Sequence, residues 1–254
     1  MKNILEVNQL TVRVEQKLLL NNVSFKVRQG RITALVGGSG SGKTTIANTI
    51  LGLLPEPLEL IQGQVLLEHK DIFLFNSEQM RLTRGGKIAM IFQEPLGAFN
   101  PLMTIGQQID EVLAVHSKAQ KETRRHRVLD ALSKVELSNP KEIYNRYPHE
   151  LSGGERQRAM IAQALVSHPQ LIIADEPTSN LDVTLQAKIM DLFRQFKREG
   201  MTILLISHDL GMVSHLADEV IILEQGKIVE EGSTDSIMKH PKHKYTRTLI
   251  EAFE

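Results

Sequence analysis

The run Gly37-Gly38-Ser39-Gly40-Ser41-Gly42-Lys43-Thr44 has the residue types and spacing of a phosphate-binding loop, G-x-x-x-x-G-K-[ST]. Its glycines let the backbone turn so that successive N–H groups converge on an anion. Lys43 adds a point charge for β- and γ-phosphates, and the Thr44 hydroxyl can ligate Mg2+, with Thr45 following in the same helix start. Asp175 and Glu176 close an apolar run. A carboxylate at the carboxyl end of a strand can hold Mg2+ directly or through water, which fits Asp175. Glu176 can orient, or take a proton from, a water attacking the γ-phosphate in line. His208 follows another apolar run and can touch the γ-phosphate and hold that water. Gln93 ends a third, where its amide can sense metal or water. Any one of these residues alone is commonly structural or solvated. Their joint placement after separate strands carries the argument.

These side chains need a sheet behind them. Residues 32–36 read as a buried strand running into the loop, with Ile46, Ile50 and Leu53 at helical spacing beyond it. Residues 5–30 alternate apolar and polar (Leu5, Val7, Val12, Val14, Val23, Phe25, Val27), the period of antiparallel strands. Residues 64–67 predict a short strand and 88–92 a core strand. Residues 171–174 and 202–206 are continuous apolar runs, as in parallel strands buried on both faces. A helix over 187–199 makes a βαβ unit of them. Residues 220–223 and 228–229 flank Gln225-Gly226 as a hairpin. From about 106 to 138 the pattern is helical and charged, with Leu129, Leu132 and Val135 on one face, a helical insertion into the parallel core. The tail from Pro241 predicts a short helix bearing Leu249, Ile250 and Phe253.

Composition narrows the chemistry. With 254 residues and 41% hydrophobic content the chain can bury a sizeable core. Thirty Lys and Arg balance thirty Asp and Glu, which gives no support for a surface dominated by nucleic acid or anionic lipid. There is no cysteine, so disulfides, thiolate catalysis and Cys-ligated metals are excluded. No tryptophan and 4% aromatic residues argue against base-stacking platforms. The first residues lack a signal-peptide core, and no apolar run approaches the ~20 residues that span a bilayer. Any membrane role is expected to come through a partner.

The second sharp feature is Leu151-Ser152-Gly153-Gly154-Glu155-Arg156-Gln157-Arg158. Ser152 and Glu155 have capping-box spacing, and Met160, Ile161, Ala164 and Leu165 follow at helical period. Capping explains the helix start. It does not explain the paired glycines, which cost helix stability and leave the backbone open to an anion.

Taken in order, the phosphate loop, Gln93, LSGGE at 151–155, LIIADE at 171–176, SNLD at 179–182 and His208 resemble ATP-binding cassette (ABC) ATPases over essentially the whole chain. The resemblance implies an α/β fold. A P-loop NTPase core with a mainly parallel sheet would carry an N-terminal antiparallel β subdomain and an inserted α-helical subdomain. All 254 residues would form one domain, with 1–93 and 159–232 as the nucleotide-binding core, 94–158 as the helical signature subdomain and 233–254 as a tail. It implies ATP and Mg2+ as ligands, with Thr44, Gln93 and Asp175 at the metal. It also implies a head-to-tail dimer in which Ser152, Gly153 and Gly154 act on a nucleotide held by the partner's phosphate loop, with Asp182 at the dimer contact. Val14 stands where these ATPases commonly stack an aromatic ring on adenine.

A narrower resemblance, to the peptide/nickel import branch, rests on four stretches. They are Phe92-Gln93-Glu94-Pro95 with residues 99–108, Tyr147-Pro148-His149-Glu150, Asp182-Val183-Thr184-Leu185-Gln186-Ala187, and Tyr245-Thr246-Arg247. It implies a peripheral subunit on the cytoplasmic face of the cell (inner) membrane. The expected partners are two membrane-spanning permease subunits, a second ABC ATPase subunit, identical or homologous, and indirectly an extracytoplasmic solute-binding protein, with no nucleic acid. The segment 93–107 would receive the membrane subunit, Glu94 included. A tail that stops soon after Arg247, without cysteines, leans toward the nickel or metallophore members. The rival expectation is a soluble cassette ATPase acting on ribosomes, DNA or cluster assembly. A single set of motifs without coiled-coil or zinc insertions weighs against it. Intact Glu176 and His208 weigh against a subunit that only binds ATP. Arg124-Arg125-His126-Arg127 lies among acidic neighbours, and His240 and His243 lie among lysines that repel cations, so neither is expected to bind nucleic acid or metal.

Overall fold

The computed structural model describes residues 2–179 and 181–252; Asn180 of the SNLD segment and Phe253 of the tail lie outside the described residues. In chain order the elements are β1 (Asn3–Val14), β2 (Lys17–Arg28), β3 (Ile32–Val36), α1 (Lys43–Ile50), β4 (Leu58–Leu67), β5 (Lys70–Asp71), α2 (Ser77–Thr83), β6 (Ile88–Ile91), α3 (Pro95–Ala98), α4 (Ile105–His116), α5 (Lys121–Lys134), α6 (Pro140–Asn145), α7 (Gly153–Leu165), β7 (Leu171–Asp175), α8 (Val183–Arg198), β8 (Thr202–Ser207), α9 (Leu210–Leu216), β9 (Glu219–Glu224), β10 (Lys227–Ser233), α10 (Thr234–Lys239) and α11 (Lys244–Glu251). They form two compact units, one of Met1–Met80 with Phe193–Glu254 and one of Arg81–Leu192.

In the first unit, β2, β1, β4 and β5 make an antiparallel sheet in that order. The period of two is realised in burial with one break in each strand: β1 buries Leu5 and Val7, then Leu10 and Val12 beyond a register shift, and β2 buries Leu20, then Val23, Phe25 and Val27. Each such side chain taken from water contributes about 1.5–3 kcal/mol. β4 is longer than the 64–67 expected. Its first half is mostly exposed, and Ile61 beside Leu60 breaks the alternation that Leu58 and Leu60 begin. It is held by the ladder to β1, with Val14 opposite Leu58 and Val12 opposite Leu60.

The unit's other strands run β10, β9, β3, β8. β3 lies between β8 and β9, parallel to both, and β10 closes the edge antiparallel to β9. Every residue of β3 and β8 is buried, which is why their sequences are continuous apolar runs without a period. The helix after the loop ends sooner than its apolar spacing suggested. α1 stops at Ile50, Gly52 turns the chain at φ 61°, and Leu53 lies past the helix at 45% exposure.

In the second unit, β6 and β7 pair parallel, from Ile88 opposite Leu171 to Ile91 opposite Ala174. The helical stretch is two helices, α4 and α5. α5 and its cap bury Val128, Ala131, Leu132 and Val135, whereas Leu129, expected on that face, is only half-buried because it sits one position off the stripe. The basic run is engaged locally. Arg124 Nε and Nη2 donate to the Asp110 carboxylate at 2.8 and 3.1 Å, and Arg125 lies 5.3 Å over the Tyr144 ring. α8 begins four residues before the expected start. The Leu185 N–H donates to Asp182 Oδ1 at 2.9 Å and the Gln186 N–H to the Asp182 carbonyl at 2.9 Å, so Asp182 starts the helix. Among the described residues, no helix is long and apolar enough to cross a membrane.

Candidate active site

In the first unit, β3 delivers the chain into the loop at Gly37. Gly42 sits at the N-cap of α1 with φ 107° and Gly40 turns at φ 73°, a region closed to most side chains. Lys43 is 7% exposed, and its Nζ donates to the carbonyls of Gly37 (2.8 Å) and Gly38 (3.0 Å). Thr44 is exposed on the first turn of α1, Thr45 is half-buried, and Ser39 and Gly40 are exposed. The loop rests on the β9–β10 turn through the Gly226 N–H, which donates to the Ser41 carbonyl at 3.0 Å. Ser41 Oγ is buried inside the loop with no hydrogen-bond partner. A buried ammonium, an unsatisfied hydroxyl and a helix N-terminus together fit a phosphate chain.

β8 runs parallel to β3 with Ser207 opposite Val36, so His208 leaves its strand at the same edge as Gly37 leaves its own. His208 is exposed there. The register, rather than any proximity in sequence, joins His208 to the loop.

The second unit gathers a second group. β6 and β7 end side by side, with Gln93 exposed just past β6 and Asp175 closing β7 at 2% exposure. Asp175 is a buried hard-oxygen donor, suited to Mg2+. Glu176 follows, half-buried, with φ 48°. A non-glycine residue there is strained and persists only where its surroundings hold it. The holding bonds are visible. The Glu176 carbonyl accepts from the Ser179 N–H (3.1 Å) and Ser179 Oγ (2.9 Å), and Gln157 Nε2 donates to the Pro177 carbonyl at 2.7 Å.

The LSGGE segment opens α7 as its spacing predicts. Ser152 Oγ accepts the Glu155 N–H at 3.3 Å, and Glu155 Oε2 accepts both the Ser152 N–H and its hydroxyl at 2.8 Å. Those bonds from the Ser152 backbone and side chain hold the Glu155 carboxyl below the ordinary glutamate range. The folded-state value is the lower one. The stability it contributes is therefore present above the ordinary value and is lost as pH falls through the folded one. Melting curves from about pH 6 to pH 3 should show a shallower acid loss in Glu155→Gln than in the parent. Ser152 and Gly153 are exposed, and Gly154 packs toward Leu185.

The predicted residues thus fall into two groups, each within one unit: 37–45 with His208, and Gln93, 152–154, Asp175 and Glu176. Sequence reasoning missed Gln157, whose amide anchors the turn after Glu176. It also missed Tyr245, whose hydroxyl accepts the Gly38 N–H at 2.8 Å. Gln157 carried one signal, a polar residue on the buried stripe of α7. Tyr245 carried none as a loop contact.

A parallel sheet edge bearing this loop, with a capped Gly-Gly helix and a buried aspartate, defines a nucleotide-binding ATPase cassette. Residues 20–179 match the family described as ABC transporter. The chain belongs to the ABC transporter family and is an ATPase of it. It is 43% identical over 256 residues to the oligopeptide transport ATP-binding protein OppD of Lactococcus lactis subsp. cremoris (strain SK11), covering 99% of this chain and 76% of that protein. It is 42% identical over 233 residues to the dipeptide transport ATP-binding protein DppD of Bacillus subtilis (strain 168), covering 91% of this chain and 70% of that one. Among solved structures it resembles the dimeric bacterial ABC transporter cassette MJ0796, with TM-score 0.80 and 28% identity over 91% of this chain and 98% of that one. The same cassette is known in a post-hydrolysis state bound to ADP and Pi.

Proposed function

We propose that the chain is the ATP-hydrolysing subunit of a peptide importer, bound peripherally to the cytoplasmic side of two membrane-spanning permease subunits and paired with a second ABC ATPase. The carrying observation is the in-register pairing of β3 with β8, which brings the Lys43 loop and His208 out at one sheet edge. Relatives named for oligopeptide and dipeptide transport, at 40 to 43% identity, support peptides over nickel as cargo.

In this reading Lys43 and the loop amides bind the phosphates. Thr44, Asp175 and Gln93 would hold Mg2+, which neutralises charge on the β- and γ-oxygens when bound. Glu176 orients the attacking water and accepts its proton, and His208 steadies the γ-phosphate side. Ser152, Gly153 and Gly154 close over the nucleotide of the partner ATPase. A tagged pulldown from detergent-solubilised membranes should recover two polytopic subunits and a second cassette ATPase. Recovery of the chain alone, or with ribosomes, would overturn the transport reading.

The cross-subunit role has a clean variant. A Cβ on Gly153 would meet nothing within 4 Å, whereas one on Gly154 would lie 2.4 Å from Leu185 Cδ2. Gly153→Ala should therefore melt within about 3 °C of the parent, the shift expected of about 1 kcal/mol. Its hydrolysis in the assembled complex should fall about a hundredfold, the cost of a misplacement near 1 Å at reacting groups. Unchanged hydrolysis would remove the signature helix from the site.

A further inference from the structure

The phosphate loop is held from a direction that none of its motif residues supplies. Tyr245 lies on the first turn of α11, and its hydroxyl accepts the Gly38 N–H at 2.8 Å across 207 positions of chain. The amide it engages shares a planar peptide with the Gly37 carbonyl, and that carbonyl accepts from Lys43 Nζ at 2.8 Å. One rigid peptide unit is thus gripped on both sides, by Tyr245 at its N–H and by Lys43 at its oxygen. Turning that plane moves the acceptor of the loop's lysine.

The grip is itself anchored. Glu230 on β10 accepts the N–H groups of Lys242 and His243 at 2.9 and 3.0 Å, fixing the chain where it enters α11. Burial opposes ionisation of Glu230, but these two N–H groups and the nearby His243 help hold the carboxyl below its ordinary value. His243 Nδ1 then accepts the Tyr245 N–H at 3.3 Å, and Thr246 and Ile250 are buried beneath the helix. A helix placed only by apolar packing would need no hydroxyl at position 245.

We propose that Tyr245 is a positioning residue for the phosphate loop, so that nucleotide affinity depends on how α11 is seated. This rests on the reading of residues 37–44 as the nucleotide site.

The test uses the full chain, titrated with a fluorescent ATP analogue in Mg2+, together with steady-state ATP hydrolysis. Tyr245→Phe keeps the ring and removes the hydroxyl. It should weaken nucleotide binding and raise KM for ATP about fivefold, equivalent to about 1 kcal/mol. kcat at saturation should change less than about twofold, since no group at the reacting phosphate is lost. Glu230→Ala should shift KM the same way by releasing the anchor. The Tyr245→Phe, Glu230→Ala double variant should be no worse than Tyr245→Phe alone, because the two act through one hydrogen bond. Binding that depends on Lys43 yet is indifferent to Tyr245→Phe, or full additivity of the two variants, would overturn the proposal. Binding that survives Lys43→Ala would overturn the phosphate-loop reading itself, and this proposal with it.

Discussion

Glu176→Gln is expected to lower ATP turnover by about 10²–10⁴, the range for a positioned general base. The amide matches the carboxylate in shape, can still hydrogen-bond a water, and cannot accept its proton. The main-chain bonds that hold the position do not involve the side-chain charge. The left-handed backbone at 176 is fixed by main-chain bonds to Ser179 and by the Gln157 amide on the Pro177 carbonyl, all of which remain. The variant should therefore melt within about 3 °C of the parent, bind ATP, and, under the proposed function, still associate with a second ABC ATPase when ATP is present. Hydrolysis measured on the complex, beside a nucleotide-binding titration, separates the two effects. Near-normal turnover would remove Glu176 from the catalytic role, and loss of binding together with turnover would mean a structural one.

Gly37→Ala should be the most damaging single change in the loop for folding as well as for binding. A Cβ there would lie 2.2 Å from the Leu223 carbonyl oxygen and 2.7 Å from Ser41 Oγ. The first neighbour is the backbone of β9, which is paired with β3 and cannot move away without opening that ladder. Overpacking against a fixed backbone costs about 3 kcal/mol or more, which lowers Tm by roughly 6–12 °C in a chain of this size. Gly40→Ala is the contrast. Its Cβ would meet nothing within 4 Å, so its cost is that of φ 73°, about 1–2 kcal/mol. Thermal melts of the two variants without nucleotide rank them. Equal melting temperatures would mean that the close approach of Gly37 to β9 does not hold in solution.

That contrast also marks what the motif conveys. The pattern G-x-x-x-x-G-K-[ST] announces a phosphate cradle and a helix start, and the helix start is found at Lys43. It does not say which glycine is needed for torsion and which for proximity, because β9 arrives nearly two hundred residues later. The import-branch resemblance likewise included Tyr245-Thr246-Arg247 as a mark of kinship without any hint that Tyr245 touches the loop.

Several features of this protein follow from sequence alone. These are the phosphate loop between a buried strand and a helix, the Ser152–Glu155 capping box, the alternation of β1 and β2, and the unbroken apolar runs of β3, β7 and β8. All are local, encoded in spacings of two to four residues or in the residue types of a short window, so they survive without knowledge of the fold. Tertiary structure alone decided that β9 lies beside β3 beneath Gly37, that β4 extends back to Leu58, that the face of α5 centres on Val128 and Leu132 rather than Leu129, and that Tyr245 holds Gly38. Those choices pair groups far apart in the chain, where no periodicity links them. They are settled by which surfaces can be buried together and which buried N–H groups must still find an acceptor.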